Sequence, residues 1–131
     1  MSASIMRLKK ALDVIKQIQS RLEVNNFTKE TFVNPPNDLM LQLRQSYMVD
    51  INTISENLDL KQNDPLRKTY KDLFSEARGL HGQCTILDHK YEVAGVAIKI
   101  DWAEVWQTLV HRLPNNICTK LQNAIEKEDS A

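Results

Sequence analysis

Small and apolar residues recur at alternating intervals of four and three along one long stretch of the chain. This seam consists of Leu66, Tyr70, Leu73, Ala77, Leu80, Cys84, Leu87, Tyr91 and Ala94. Such intervals keep every member on one face of an α-helix. We therefore predict one long helix over residues 65–94. Gly79 and Gly82 are where it would kink, because glycine disfavours a helix interior, and their small size suits close approach by a neighbouring helix.

Two helices are predicted on the N-terminal side of this seam. Apolar residues at helical spacing predict a first helix over Ser4–Val24, with Ser4 as a cap for an early amide. A second stripe predicts a helix that opens at Asn37 or Asp38 and ends near residue 60. Asp64 followed by proline is typical of a cap and a first helical position, so the long helix is expected to start there.

The C-terminal part of the chain is also predicted to be helical. Asp101 and Glu104 match a capping box, and the apolar residues that follow predict a fourth helix. Pro114 is expected to end or kink that helix, because proline lacks an amide proton. A last helical stripe is formed by Ile117, Leu121 and Ile125. Residues 93–100 fit a short strand or a buried turn equally well.

A proline-containing loop separates the first two helices. Asn25-Asn26 and Pro35-Pro36 interrupt the helical pattern over residues 25–37. Phe27, Phe32 and Val33 make this loop too apolar for a free linker, so we expect them to pin it to the bundle, through a short turn at residues 28–31. No domain boundary is indicated.

Composition and length support a single helical domain. The chain has 131 residues, of which only 3 are glycine and 4 are proline, and 42% are hydrophobic. A chain of this length can bury one core without metals or disulfides. We predict an all-α, compact bundle of four to five helices over residues 1–131. The long helix is expected to be its central element, and residues 1–3 and 126–131 are expected to be frayed.

Two further features of the sequence bear on the cellular compartment of the protein. The N-terminus lacks a basic stretch followed by an apolar one, and no apolar run approaches the ~18 residues of a membrane-spanning helix. The two cysteines, Cys84 and Cys118, do not form a dense framework, so we expect free thiols. These observations predict an intracellular protein, cytoplasmic or nuclear, with no membrane partner.

Charge distribution leaves one basic face to consider. The 17 basic and 17 acidic residues cancel, which argues against nucleic acid as the main partner. The first helix nevertheless carries a local excess of cations that could contact phosphates: Arg7, Lys9, Lys10 and Lys16. The alternative is that these cations are simply solvated, or that they pair with the second helix. The charged residues of that segment, 37–60, are all acidic except Arg44.

Residues capable of chemistry are few and scattered. His81, Cys84 and Asp88 would share a helical face beside His89, but a structural zinc site needs four ligands and only His111 and Cys118 remain to complete it. Cys84 lies in the apolar seam, where a free cysteine behaves as a small hydrophobe. No glycine-rich phosphate loop is present. We therefore predict no catalytic site, no metal and no cofactor.

Trp102 and Trp106 lie one turn apart beside Leu109, and they suggest a role in binding. Core packing is the ordinary role of such residues, yet tryptophan also dominates binding hot spots. The leading hypothesis is a non-enzymatic interaction module, an adaptor or complex subunit, that binds another protein or a second copy of itself. A nucleic-acid-binding protein that uses the first helix is the first alternative. A small helical enzyme, with two or more of the candidate side chains in one pocket, is the second.

Overall fold

The computed structural model describes the backbone of residues 2–92 and 100–130 and the side chains of residues 2–84 and 100–130. The described residues form helices and contain no strand. In chain order these are α1 (Ala3–Val24), α2 (Lys29–Val33), α3 (Asp38–Leu58), α4 (Pro65–Thr69), α5 (Lys71–Glu92) and α6 (Trp102–Gln107), then a π-helical segment (Thr108–Ile117) and α7 (Cys118–Asp129). The predicted all-α fold is confirmed.

Four long rods surround one core. The last three elements run into one another without a break, and together they form a C-terminal rod over residues 102–129. α1 packs against α3 on one side and against the C-terminal rod on the other, and α5 also contacts both α3 and that rod. α1 and α5 therefore lie at opposite corners of a four-rod bundle. The short helix α2 lies in the connection between α1 and α3, and α4 lies in the connection between α3 and α5.

α1 contributes the most continuous apolar face of the described helices. Its buried side chains recur every three or four residues, namely Ile5, Leu8, Ala11, Val14, Ile15, Ile18 and Leu22. Full burial of one such aliphatic side chain stabilises the fold by about 1.5–3 kcal/mol. The helix is capped by Ser2, whose side chain accepts from the Ile5 amide at 3.2 Å. Ser4, predicted as the cap, instead donates its hydroxyl to the Asp64 carboxylate at 2.5 Å and so ties α1 to α4.

The predicted helix over residues 65–94 is divided at Tyr70. The backbone there has φ −116° and ψ 58°, which lies outside the helical region and separates α4 from α5. The Tyr70 hydroxyl donates to Glu128 of α7 at 2.9 Å, and burial with this bond raises the pKa of the tyrosine. Tyr70 is the only residue between α4 and α5. The apolar residues on both sides of it therefore keep their intervals of four and three in the sequence, although the helix is broken. Residues 93 and 94, and most of the uncertain stretch 93–100, lie outside the described residues.

Gly79 and Gly82 do not interrupt the helix. α5 continues through both positions, both are exposed, and a Cβ added at either would meet no atom within 4 Å. The expectation that they allow a neighbouring helix to approach is therefore wrong. The inward positions of α5 are taken by Ala77, Leu80 and Cys84, so the glycines lie on the solvent side.

Replacing these glycines by alanine should stabilise the protein. We expect Gly79→Ala and Gly82→Ala each to raise the free energy of unfolding by about 0.5–1 kcal/mol, because alanine loses less backbone freedom in a helix and meets no obstacle here. Urea denaturation followed by circular dichroism measures the change. Ala3→Gly, at the exposed first position of α1, is a control expected to have little effect, because helix propensity matters least at the first position. A loss of stability in both alanine variants would contradict this account of α5.

Pro114 does not end the C-terminal rod. It lies inside the π-helical segment, and the chain passes from there directly into α7. In an α-helix the proline ring collides with the carbonyl four residues earlier. The wider π turn shifts hydrogen bonding to the carbonyl five residues earlier, which accommodates the ring. The segment keeps Leu109, Leu113 and Ile117 fully buried on one face.

Polar contacts hold together the end of the bundle at which α1 begins and α7 ends. At the C-terminus, residues 126–129 were expected to be frayed, but they continue α7. Glu128 accepts from Tyr70, and Asp129 forms an ion pair with Lys9 at 3.1 Å. At the same end of the bundle, Asp64 caps α4 by accepting from the Leu66 amide at 3.0 Å, as predicted. The Ser4 hydroxyl, then this amide, lower the pKa of Asp64, while burial opposes them.

The lowered pKa of Asp64 predicts an acid-sensitive link between α1 and α4. A carboxyl group whose pKa is lower in the folded state stabilises the fold in full above its unfolded pKa of about 3.9. That stability is lost as the pH falls through the folded pKa. We expect Asp64→Asn to lower the free energy of unfolding at pH 7 and to flatten its decline below about pH 4. Asp13→Asn, on the exposed face of α1, is the matched control. Parallel pH curves for wild type and Asp64→Asn would contradict the prediction.

Candidate interaction surface

Five aromatic rings meet where α2, α3 and α6 converge. We call this set, made of Phe27, Phe32, Tyr47, Trp102 and Trp106, the aromatic cluster. Phe32 is fully buried at its centre, with ring centroids 5.9 Å from Phe27, 6.1 Å from Trp102 and 5.3 Å from Trp106. Phe27 in turn lies 5.7 Å from Tyr47. Most of these pairs meet edge to face, which is a favourable arrangement for aromatic rings.

The short helix α2 places Phe32 at this point. Thr28 caps the helix by accepting from the Thr31 amide at 3.2 Å, and the Thr31 hydroxyl accepts from the Thr28 amide at 2.9 Å. The predicted short turn in the loop and the anchoring role of its phenylalanines are thus confirmed. α2 contacts both α3 and α6, so it joins the loop to two different rods.

Arg44 of α3 connects α2 to Trp102. Its side chain is only 8% exposed, and Nη1 donates to the carbonyls of Phe32 and Val33 at 3.0 and 3.1 Å. The guanidinium carbon lies 3.8 Å from the centroid of the Trp102 ring, which is a close cation–π contact. The sequence contained one signal for this role: Arg44 is the only basic residue in the acidic stretch 37–60.

A second cation supports the opposite side of the cluster. The Arg21 guanidinium lies 5.1 Å from the centroid of the Tyr47 ring and forms an ion pair with Asp50. The Tyr47 hydroxyl accepts from the side-chain amide of Asn25 at 3.2 Å. Tyr47 is therefore fixed at both its ring and its hydroxyl. The cluster is held by directional contacts as well as by burial.

The predicted binding residues divide into two groups. Trp102 and Trp106 are half-buried, and Phe32 brings their rings into one cluster. Leu109 is fully buried in the bundle core, so it lies outside the candidate surface. Ala103 and Val110 are also half-buried. Together with the two tryptophans they occupy consecutive turns on one face of the C-terminal rod, and we call these four residues the tryptophan surface.

The four basic residues of α1 do not form one free face. Arg7 donates to the main-chain carbonyls of Glu56 and Asp59 at the end of α3, the second at 3.2 Å. Lys9 pairs with Asp129, whereas Lys10 is exposed. Lys16 is exposed as well.

Lys16 affects a neighbouring thiol. Burial raises the pKa of Cys118, and the positive charge of Lys16 partly opposes that shift. Cys118 and Cys84 are both buried free thiols, as expected from their sequence positions. Cys84 lies in the core at 4% exposure, which fits its place in the apolar seam. Burial keeps both sulfur atoms away from solvent reagents.

The two histidines whose side chains the structure describes, His81 and His111, are exposed, whereas both cysteines are buried. His81 is exposed, and its Nδ1 lies 3.1 Å from the hydroxyl of Ser55 on α3, a pairing that the sequence did not predict. His111 is exposed on the π-helical segment. The side chains of Asp88 and His89 lie outside the described residues. No group of three His, Cys, Asp or Glu side chains that could hold a metal ion occurs in the described part of the chain.

Two further findings concern the chain as a whole: its potential to span a membrane and its similarity to known proteins. None of the helices within the described ranges is both long enough and apolar enough to cross a bilayer. No protein-family model, curated protein or solved structure matches this chain.

Proposed function

We propose that this chain is a non-enzymatic protein-interaction module, an adaptor or a subunit of a larger complex, that binds another protein through the tryptophan surface. The observation that carries the proposal is the state of Trp102 and Trp106. Both rings are half-buried, and both are packed on the fully buried Phe32. Each tryptophan thus has one part fixed in the fold and another part available to a partner.

Fixing the rings before binding favours association. Immobilising a flexible side chain at an interface costs about 0.5–1.5 kcal/mol, and rings that are already packed avoid most of this cost. Arg44 restricts Trp102 further through the cation–π contact and its two hydrogen bonds to α2. Tryptophan is among the residues most enriched in hot spots, where a well-packed aromatic side chain supplies much of the binding energy.

The shape of the surface favours a helical partner. Its four residues form a stripe along the C-terminal rod, at the spacing that meets the apolar face of another helix. A second copy of this chain could supply such a face, and a homodimer is the self-association form of the same proposal. The nucleic-acid alternative is less favoured, because Arg7 and Lys9 already contact groups of this chain.

A substitution that blocks the stripe without removing a packed ring tests the proposal. Ala103→Arg places a long charged side chain between the tryptophans and solvent, and we expect it to weaken partner binding at least about tenfold. Ser75→Arg, on the exposed side of α5, is the matched control and should bind like wild type. Partners are captured from a native extract, purified and titrated. Because the chain has only 2 tryptophans and both lie here, their emission reports on this surface alone.

The outcomes separate the forms of the proposal. Loss of binding and of the emission change in Ala103→Arg, with both retained in Ser75→Arg, supports the tryptophan surface. A molar mass of two chains by light scattering that falls to one chain in Ala103→Arg supports the homodimer. Equal binding by both variants, or a strict monomer for which no partner is found, contradicts the proposal. Thermal unfolding of each variant verifies that the fold is retained.

A further inference from the structure

A small cleft lies between the C-terminal end of α3 and the first turns of α5. Arg44 and the aromatic cluster lie toward the other end of α3. The volume of the cleft is about 70 Å³, and α4 closes one end. A water molecule occupies about 30 Å³ of liquid, so the cleft accommodates a group of a few heavy atoms. Its floor is apolar and consists of Leu58, Phe74 and Ala77.

The remaining walls of the cleft are polar and mostly basic. Arg67, Arg78 and His81 line it together with the hydroxyl of Ser55. Ser55 is only 4% exposed, and its hydroxyl lies 3.1 Å from Nδ1 of His81. When that hydroxyl donates, Nδ1 is the acceptor and the ring proton resides on Nε2. Asp59 is the one acidic residue that lines the cleft.

Helix capping explains part of this positive charge. The carbonyls at the C-terminal end of a helix attract cations. Nη1 of Arg67 donates to the Leu60 carbonyl, just past the end of α3, at 2.7 Å. The Arg67 guanidinium also lies 5.8 Å from the Phe74 ring centroid, which orients it along the cleft wall.

Capping does not explain Arg78. It belongs to α5 and lines the cleft one turn before His81. Its guanidinium has no hydrogen-bond or ion-pair partner among the residues that the structure describes, and the nearby carboxyl group, Asp59, does not pair with it. The cleft thus contains one cation held in place, one cation without a partner, and a buried hydroxyl.

We propose that this cleft binds a small oxyanion, a phosphate or a carboxylate group, between Arg67 and Arg78. A guanidinium group presents a planar set of donors that matches both kinds of anion, and Arg67 retains donors beyond the one used by Leu60. The two arginines exceed the charge of Asp59, so the local field favours an anion. Leu58, Phe74 and Ala77 line the same cleft, so a bound anion would lie beside apolar side chains, where charge contacts are less screened than in open water.

Titration of the full chain with inorganic phosphate and, separately, with acetate tests the proposal. Ionic strength is kept constant with chloride, and the His81 ring shifts in the NMR spectrum report occupancy. We expect a saturable change with a Kd of about 1 mM or lower for at least one anion. Saturation by phosphate alone identifies a phosphate-bearing ligand, and saturation by acetate alone identifies a carboxylate.

Three variants distinguish a site from general charge attraction. Arg78→Gln should weaken binding by at least about tenfold, because it removes a charge-assisted contact. Asp59→Asn should strengthen binding severalfold, since it removes the opposing charge. Lys68→Gln, an exposed residue of α4 that does not line the cleft, should leave binding unchanged. Circular dichroism verifies that each variant is folded.

Absence of saturation with both anions overturns the proposal. Equal weakening by Arg78→Gln and Lys68→Gln also overturns it, because binding would then follow net charge. The result is independent of the tryptophan surface, which involves another part of the bundle. An Ala103→Arg variant should bind the oxyanion as wild type does, so failure of one proposal is distinguishable from failure of the other.

Discussion

The arrangement of the tryptophan surface depends on the packing of the buried Phe32 ring against Trp102 and Trp106. α2 has only five residues, and a helix of that length is unstable by itself. Its position follows from the Phe32 ring in the core, the two hydrogen bonds from Arg44 and the cap at Thr28. Trp102 and Trp106 then pack on the same ring.

Arg44 shows how the bundle accommodates a nearly buried cation. A buried charge is costly unless its hydrogen-bonding capacity is met. Here carbonyl oxygens at the end of α2 and the face of an indole ring stabilise the guanidinium. The α2 carbonyls are at the negative end of the helix, which is where a cation is favourable. The same group therefore stabilises α2 and restricts Trp102, and it links the architecture to the proposed function.

The local features of this fold were predictable from sequence because their signals are local. The helical stripes, the start of α3 at Asn37 and the cap at Asp64 all depend on neighbours a few residues away. The break at Tyr70 was not predictable, because one non-helical residue leaves the spacing of four and three intact. The passage of the helix through Pro114 was missed for a different reason, since it requires a π-helical turn that composition does not indicate.

The sites were less predictable than the helices. Trp102 and Trp106 stood out by residue type, but their half-burial depends on Phe32, about 70 residues earlier in the chain. The pairing of Ser55 with His81 and the contact of Arg44 with Trp102 also join distant positions. Leu109 lies seven residues after Trp102 in the sequence, yet it is also four residues after the buried Val105 and lies with it in the core. Long-range contacts decide which apolar residues form a surface.

The proposed role of the tryptophan surface requires that both tryptophans are held rigidly while part of each ring faces solvent. Time-resolved fluorescence anisotropy of the free protein, combined with acrylamide quenching, measures this directly because no other tryptophan contributes. We expect depolarisation only at the rate of overall tumbling, with quenching between that of a buried and a free tryptophan. Fast local depolarisation, or quenching as efficient as for free tryptophan, would contradict it.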